Sequence, residues 1–175
     1  MKFQLPSLLL LACLGAERAV VRVVAADGAC FADREELKYA IDVCFEGGVG
    51  GRAYQTSTAA NATLCEGVQT ARGWPVNAWC VGAVTDMRYL FVQKADFDED
   101  LRDWDTAAVT DFFEMFSYAS SFDGDVSAWD TGRVANASGM FYEAEAFDGD
   151  LSAWDTSRLT NMKVRTFETR GLPRS

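Results

Sequence analysis

The chain has 175 residues, 49% of them hydrophobic and 13% aromatic, enough for one packed domain with a short appendage and too apolar for general disorder. Sixteen Lys and Arg against 26 Asp and Glu leave a net charge of −10, which repels nucleic acid and anionic lipid headgroups. Histidine is absent, which excludes Ser/His/Asp and Cys/His catalysis, His-ligated zinc and the usual neutral-pH proton shuttle.

Met1 and Lys2, the apolar run from Phe3 to Leu14, and the small residues Gly15 and Ala16 predict a secretory signal peptide over residues 1–16. Pro6 and the change to Glu17 and Arg18 argue against a buried helix, and a run of about a dozen residues is too short to span a bilayer. No transmembrane segment is expected once the signal is removed. An alternative use of the same residues is a lipid-attachment box, Leu10-Leu11-Ala12-Cys13, with Leu11 where a smaller residue is usual. Removing residues 1–16 takes Cys13 away and leaves Cys30, Cys44, Cys65 and Cys80, an even set expected to form two disulfides in an oxidising compartment.

Residues 27–73 are expected to form an N-terminal cap. Asp33-Arg34-Glu35-Glu36 reads as a capping box, and Leu37, Ile41, Cys44 and Phe45 recur at helical spacing, predicting a helix over about 34–46 that Gly47-Gly48 ends. Cys30 and Cys44 would then lie roughly 15 Å or more apart along the helix, whereas a disulfide needs Cα atoms within about 7 Å, so that pairing is disfavoured and the others stay open. Residues 47–71 are rich in Gly, Thr, Ser and Ala without a clear period and are expected to be loop.

From Trp79 the sequence repeats. Trp79, Trp104, Trp129 and Trp154 are spaced by 25 residues, and the register is shared by Val84, Val109, Val134 and Leu159, by Phe91, Phe116 and Phe141, and by Phe97, Phe122 and Phe147. A Trp repeated at one point of every unit is read as a core ladder in preference to an exposed sugar-stacking platform. Within one unit, Val109, Phe112, Met115, Phe116 and Ala119 follow the spacing of a short helix, with Asp111 and Glu114 as its capping box, and Phe122, Val126 and Trp129 follow as an extended segment. Since 25 residues cannot bury their own apolar face, neighbouring units must share one core. The expected fold class is therefore α/β, a right-handed leucine-rich-repeat-like solenoid of short extended segments and short helices over residues 74–162, with a small disulfide-bonded helical cap before it.

Trp154-Asp155-Thr156-Ser157-Arg158-Leu159-Thr160-Asn161-Met162, preceded by Met140-Phe141, Ala144 and Phe147-Asp148-Gly149-Asp150-Leu151-Ser152, resembles the BspA-like surface-protein repeat, whose pattern runs roughly WDTSxVTNMxxMFxxAxxFNxDIS. The resemblance covers about Trp74 to Met162, and Gly73 to Cys80 is similar to the lead-in that precedes a first unit. It implies an extracellular leucine-rich-repeat-like module, associated with surface attachment in some members. Asp98, Asp123 and Asp148 depart from the family's Asn, Cys80 replaces the Asp after the first Trp, and Ala137 and Gly139 weaken the third predicted helix. Register is lost after Met162, where Phe167 falls one place late, so residues 163–175 read as an irregular tail, either an unrecognised cap or the break in a longer array.

Asp98 with Asp100, Asp123 with Asp125 and Asp148 with Asp150 recur once per unit, and residues 81–162 hold 17 acidic against 5 basic residues, a net of 5 − 17 = −12. Rows of carboxylates suit calcium, the one cofactor the sequence suggests, but the pairs do not match calcium-loop spacings. The competing expectation is that Asp-Gly-Asp makes a tight turn whose side chains bond nearby amides. No catalytic residues are assigned, because a pair repeated in every unit does not make one distinctive pocket. Asn61-Ala62-Thr63 and Asn136-Ala137-Ser138 match the glycosylation sequon. The expected function is a secreted or cell-surface scaffold contacting an extracellular protein or a glycan, without catalysis; the alternatives are a calcium-stabilised wall component and a fragment of a longer array.

Overall fold

The computed structural model describes residues 30–45, 59–73 and 75–160. The expected signal peptide, the lipid-attachment alternative at Cys13 and the tail 163–175 lie outside the described residues.

Helix α1 spans Arg34–Cys44. Asp33 caps it, its carboxylate accepting from the Glu36 amide at 3.0 Å, while Glu36 turns back to the amide of Ala32 at 2.9 Å, one residue earlier than in the usual capping box. Leu37, Ala40, Ile41 and Cys44 form its buried face. A second helix, α2 over Ala59–Arg72, occupies part of the stretch expected to be loop. The Ala-rich sequence favours helix, and Gly73, at φ +83° with its amide bonded to the Gln69 carbonyl at 2.9 Å, supplies the left-handed stop. Composition hides it, because Gly, Thr and Ser across residues 47–71 are loop formers and no clear apolar period marks the helix.

Two disulfides close the cap, Cys44–Cys65 between α1 and α2, and Cys30–Cys80 from the entry of α1 to the first repeat unit. Arg72 of α2 pairs with Glu36 and lies 4.4 Å above the Phe31 ring. A 3-10 turn, Val76–Ala78, then leads into the repeats.

The repeat units correct the sequence expectation. Among the described residues the two α-helices both precede the units, and extended pairing is confined to the isolated bridges Asp86↔Asp111 and Asp111↔Asn136. The α/β, right-handed leucine-rich-repeat-like solenoid of short helices and extended segments is therefore not supported. Each unit is instead a run of turns. In the second unit, Val109 bonds back to Thr106, Ala119 to Phe116, Phe122 to Ala119 and Trp129 to Val126, and corresponding turns close the units on either side.

The backbone shows why the predicted helix over Val109–Ala119 does not form. Tyr89, Glu114 and Gly139 share one register position, Gln93, Tyr118 and Glu143 another, and all six have φ between 49° and 65°. A left-handed residue twice per unit breaks any right-handed helix. It also turns alternate peptides along the stack: the amides of Met87, Tyr89, Phe91 and Gln93 donate to the carbonyls of Asp111, Phe113, Met115 and Ser117, and those of Phe112, Glu114, Phe116 and Tyr118 to Asn136, Ser138, Met140 and Tyr142, at 2.7–3.1 Å. Bonds that a helix would keep within one unit thus join neighbouring units, and the helical spacing of apolar residues survives because the turns bury the same side chains.

Buried side chains stack across these bonds. Phe91, Phe116 and Phe141 lie with ring centroids 5.1 and 5.6 Å apart, Phe97, Phe122 and Phe147 at 5.7 and 5.8 Å, and Trp104, Trp129 and Trp154 at 6.3 and 6.4 Å. Each buried indole N–H of Trp104, Trp129 and Trp154 donates to a carbonyl 28 residues earlier, Val76, Leu101 and Val126.

Gly139 is the one glycine among the six left-handed positions, and a Cβ there would stand 3.0 Å from the Glu114 Cγ. Gly139→Ala should therefore cost about 1–2 kcal/mol, while Gln93→Gly, at an exposed position with φ 60°, should gain about 0.5–1 kcal/mol. Urea unfolding of the two variants checks this; a destabilised Gln93→Gly would contradict the left-handed assignment.

The first unit departs from the others where it meets the cap. Cys80 replaces Asp and carries the disulfide to Cys30, while Lys94 replaces the Ala of Ala119 and Ala144 and reaches Asp42 of α1 at 2.9 Å. Arg34 donates to the Arg88 carbonyl at 3.2 Å, and Phe45 meets Phe97 edge-on at 4.9 Å.

Candidate functional site

The recurring carboxylates end up in turns. Asp98 accepts from the amide of Asp123 at 2.9 Å and Asp123 from that of Asp148 at 3.0 Å, each bond linking equivalent positions 25 residues apart. Asp100, Asp125 and Asp150 each accept from the amide two residues on, at Arg102, Ser127 and Ser152, over 2.8–2.9 Å. Two further rows do the same, with Asp111 and Asn136 read from the sequence in other roles, as a helix cap and a glycosylation site: Asp105, Asp130 and Asp155 hold the amides of Ala107, Gly132 and Ser157, and Asp86, Asp111 and Asn136 hold those of Arg88, Phe113 and Ser138. Side-chain bonding two residues ahead is the reason Asp and Asn favour such turns.

The glycine of Asp-Gly-Asp is a close-approach position. A Cβ at Gly124 would stand 2.4 Å from the Glu99 carbonyl oxygen and 2.7 Å from the Phe122 ring.

The electrostatics follow from these bonds. Partial burial alone would raise the Asp86 carboxyl, but hydrogen bonds from Arg88 and the charges of Arg88 and Arg34 outweigh it and hold it below its usual value. Ser127 and then Arg102 lower Asp125, and Ser157 lowers Asp155. Burial, with the neighbouring Asp98 charge, raises Glu99. A depressed folded pKa stabilises the protein above the unfolded value of about 3.9 and that contribution is lost as pH falls through the folded value; Glu99 has the opposite sign. The melting midpoint should therefore fall below about pH 4. Scanning calorimetry checks this, and a midpoint that climbs steadily below that pH would contradict it.

Among the described residues, no three acidic or thiol side chains converge as metal ligands. Calcium takes six to eight oxygens around one centre, and of the carboxylates expected to supply them Asp98, Asp100, Asp123, Asp125 and Asp150 accept from backbone amides. Asp125 is further committed to Arg102 at 2.6 Å. Of the two sequons, Asn136 accepts from the Ser138 amide at 3.1 Å and Ser138 is buried; the side chain of Asn61, in the first turn of α2, lies outside the described residues. All ten predicted core aromatics, from Trp79 to Trp154, are buried.

Sequence reasoning missed one surface. Tyr89 and Phe113 meet edge-on at 5.2 Å, and Tyr118 and Tyr142 at 5.3 Å, with Tyr89 37% and Tyr118 49% exposed. The register gave no signal for them, because Tyr89 is equivalent to Glu114, Phe113 to Arg88, and Tyr118 to Gln93.

No helix among the described residues is long and apolar enough to cross a membrane. No curated protein and no solved structure matches the chain. The family model described as "Mycoplasma protein of unknown function, DUF285" matches residues 61–171, 111 of the 175 residues (171 − 61 + 1), which spans the repeat units and the helix before them. By that match over more than half its length, the chain belongs to the DUF285 family.

Proposed function

We propose that this protein is a secreted or cell-surface binding scaffold of the BspA-like kind, contacting an extracellular protein or glycan and carrying out no catalysis. The observation that supports it most is the use of the recurring carboxylates: row after row, they hold backbone amides between or within units. Residues repeated in every unit serve the array, and those that differ between units are left to serve recognition. The two disulfides suit an oxidising compartment, and the absence of histidine removes the commonest catalytic bases.

The test is expression of the full chain in a secreting host. The expected product is in the medium, begins near residue 17, and is lighter than its reduced form by the four hydrogens lost in two disulfides. An uncleaved intracellular chain with five free thiols would overturn the reading.

A further inference from the structure

We infer that the aromatic face formed by Tyr89, Phe113, Tyr118 and Tyr142 binds a basic, arginine-bearing segment of an extracellular protein. The inference rests on the scaffold reading above and names its partner class and surface.

The two aromatic pairs each combine one exposed ring with one half-buried ring, and the exposed member of each, Tyr89 and Tyr118, occupies a left-handed position in consecutive units. Such φ values place non-glycine side chains at a steric cost, so the rings are fixed by a backbone joined to its neighbours: Tyr89 donates to the Phe113 carbonyl at 3.1 Å and Tyr118 to that of Tyr142 at 2.7 Å. Phe113 and Tyr118 are five residues apart, a span of about 17 Å at most, which about five residues of an extended partner would cover.

Charge selects the partner. Glu114 lies over Gly139 on this face, and Glu143 stands beside Tyr142, whose phenol is pushed above its usual pKa by Tyr118 and then by Glu143. Arg88, at the edge, is matched by Asp86 at 2.7 Å and Asp111 at 3.8 Å. Within units that are net −12, ring faces beside the Glu114 and Glu143 carboxylates suit a guanidinium, which stacks on an aromatic ring while pairing with a carboxylate.

The test is titration of the secreted, disulfide-bonded chain with acetyl-hexa-arginine amide at 0.15 M salt, with hexa-lysine, hexa-glutamine and a neutral oligosaccharide alongside. Hexa-arginine should bind at least fivefold tighter than hexa-lysine, and the two neutral probes should not bind. Tyr118→Ser with Tyr142→Ser should weaken hexa-arginine at least fivefold, the double Phe variant should retain it, Glu143→Gln should weaken it about two- to threefold, and Glu66→Gln on α2 should not change it. Equal losses from Glu66→Gln and the Tyr variants, equal binding of lysine and arginine, or binding of the oligosaccharide alone would overturn the proposal. If the Ser variant does not fold, loss of binding in the double Phe variant or no loss in Glu143→Gln overturns it equally. A protein that is secreted and disulfide-bonded yet ignores hexa-arginine defeats this inference alone; one retained inside the cell with free thiols defeats the scaffold reading.

Discussion

Phe116→Ala should lower the unfolding free energy by about 3–5 kcal/mol, while Phe113→Ala, three residues away, should cost under about 1 kcal/mol. Phe116 is fully buried and stacks on Phe91 at 5.1 Å, Phe141 at 5.6 Å and Phe122 at 3.9 Å, with Trp129 at 6.3 Å. The cavity left by truncation cannot close readily, because backbone bonds on both sides fix the unit spacing: Phe91 donates to Met115 and Phe116 to Met140, each at 2.8 Å. Phe113 is half-buried and meets Tyr89 edge-on at 5.2 Å, outside the buried ring rows. Urea denaturation monitored by Trp fluorescence separates the two. Equal losses would mean that the ring row is not the core.

Breaking both disulfides should be the second large effect. Cys30–Cys80 closes a loop of 50 residues and Cys44–Cys65 a nested one of 21. Loop-closure entropy assigns each about 3–4 kcal/mol, and because one loop lies inside the other their effects should sum to less than two independent bridges. Reduction should release the cap first, since Cys30–Cys80 is the covalent cross-link between it and the first unit, leaving non-covalent contacts such as Lys94–Asp42, the Arg34–Arg88 bond, the Phe31–Trp79 rings and the Phe45–Phe97 contact. The expected result is a lower melting midpoint for Cys80→Ser than for the parent, with hydrogen exchange rising first in α1. An unchanged midpoint would show that the cap is held by its side chains alone.

The 25-residue period and its buried rows were legible because a residue that must stack on its own equivalent is constrained to recur in register, as Trp104, Trp129 and Trp154 do. Secondary structure within the units was not legible, because i, i+3, i+7 spacing reports only which side chains point inward. In residues 109–119 two turns with left-handed corners at Glu114 and Tyr118 satisfy that spacing as well as a helix does. A glycine at such a corner would have been the usual clue, and Gly139 alone supplied it, where it read as a weak helix position. The cap was half legible. Asp33 marked α1, whereas α2 lay in a stretch whose Ser and Thr content masked its alanines. Cys80 stood out as a departure from the repeat, but its partner Cys30, like the Lys94–Asp42 pair, depends on how the cap docks, which no local pattern encodes. The tyrosine face escaped because reading for repetition passes over positions that differ between units.

The central claim is that the carboxylate rows build the array by holding amides and do not gather a metal. The most direct test is the melting midpoint of the non-reduced, secreted protein in millimolar calcium and in chelator. A native-state calcium site filled to 100 times its dissociation constant would add about 2.7 kcal/mol and raise the midpoint by several degrees. The account predicts midpoints that agree to within about 2 °C, since less than that corresponds to well under 1 kcal/mol for a chain of this size. A calcium-dependent rise of about 5 °C or more would contradict it and make the Asp98, Asp123 and Asp148 row a set of metal ligands.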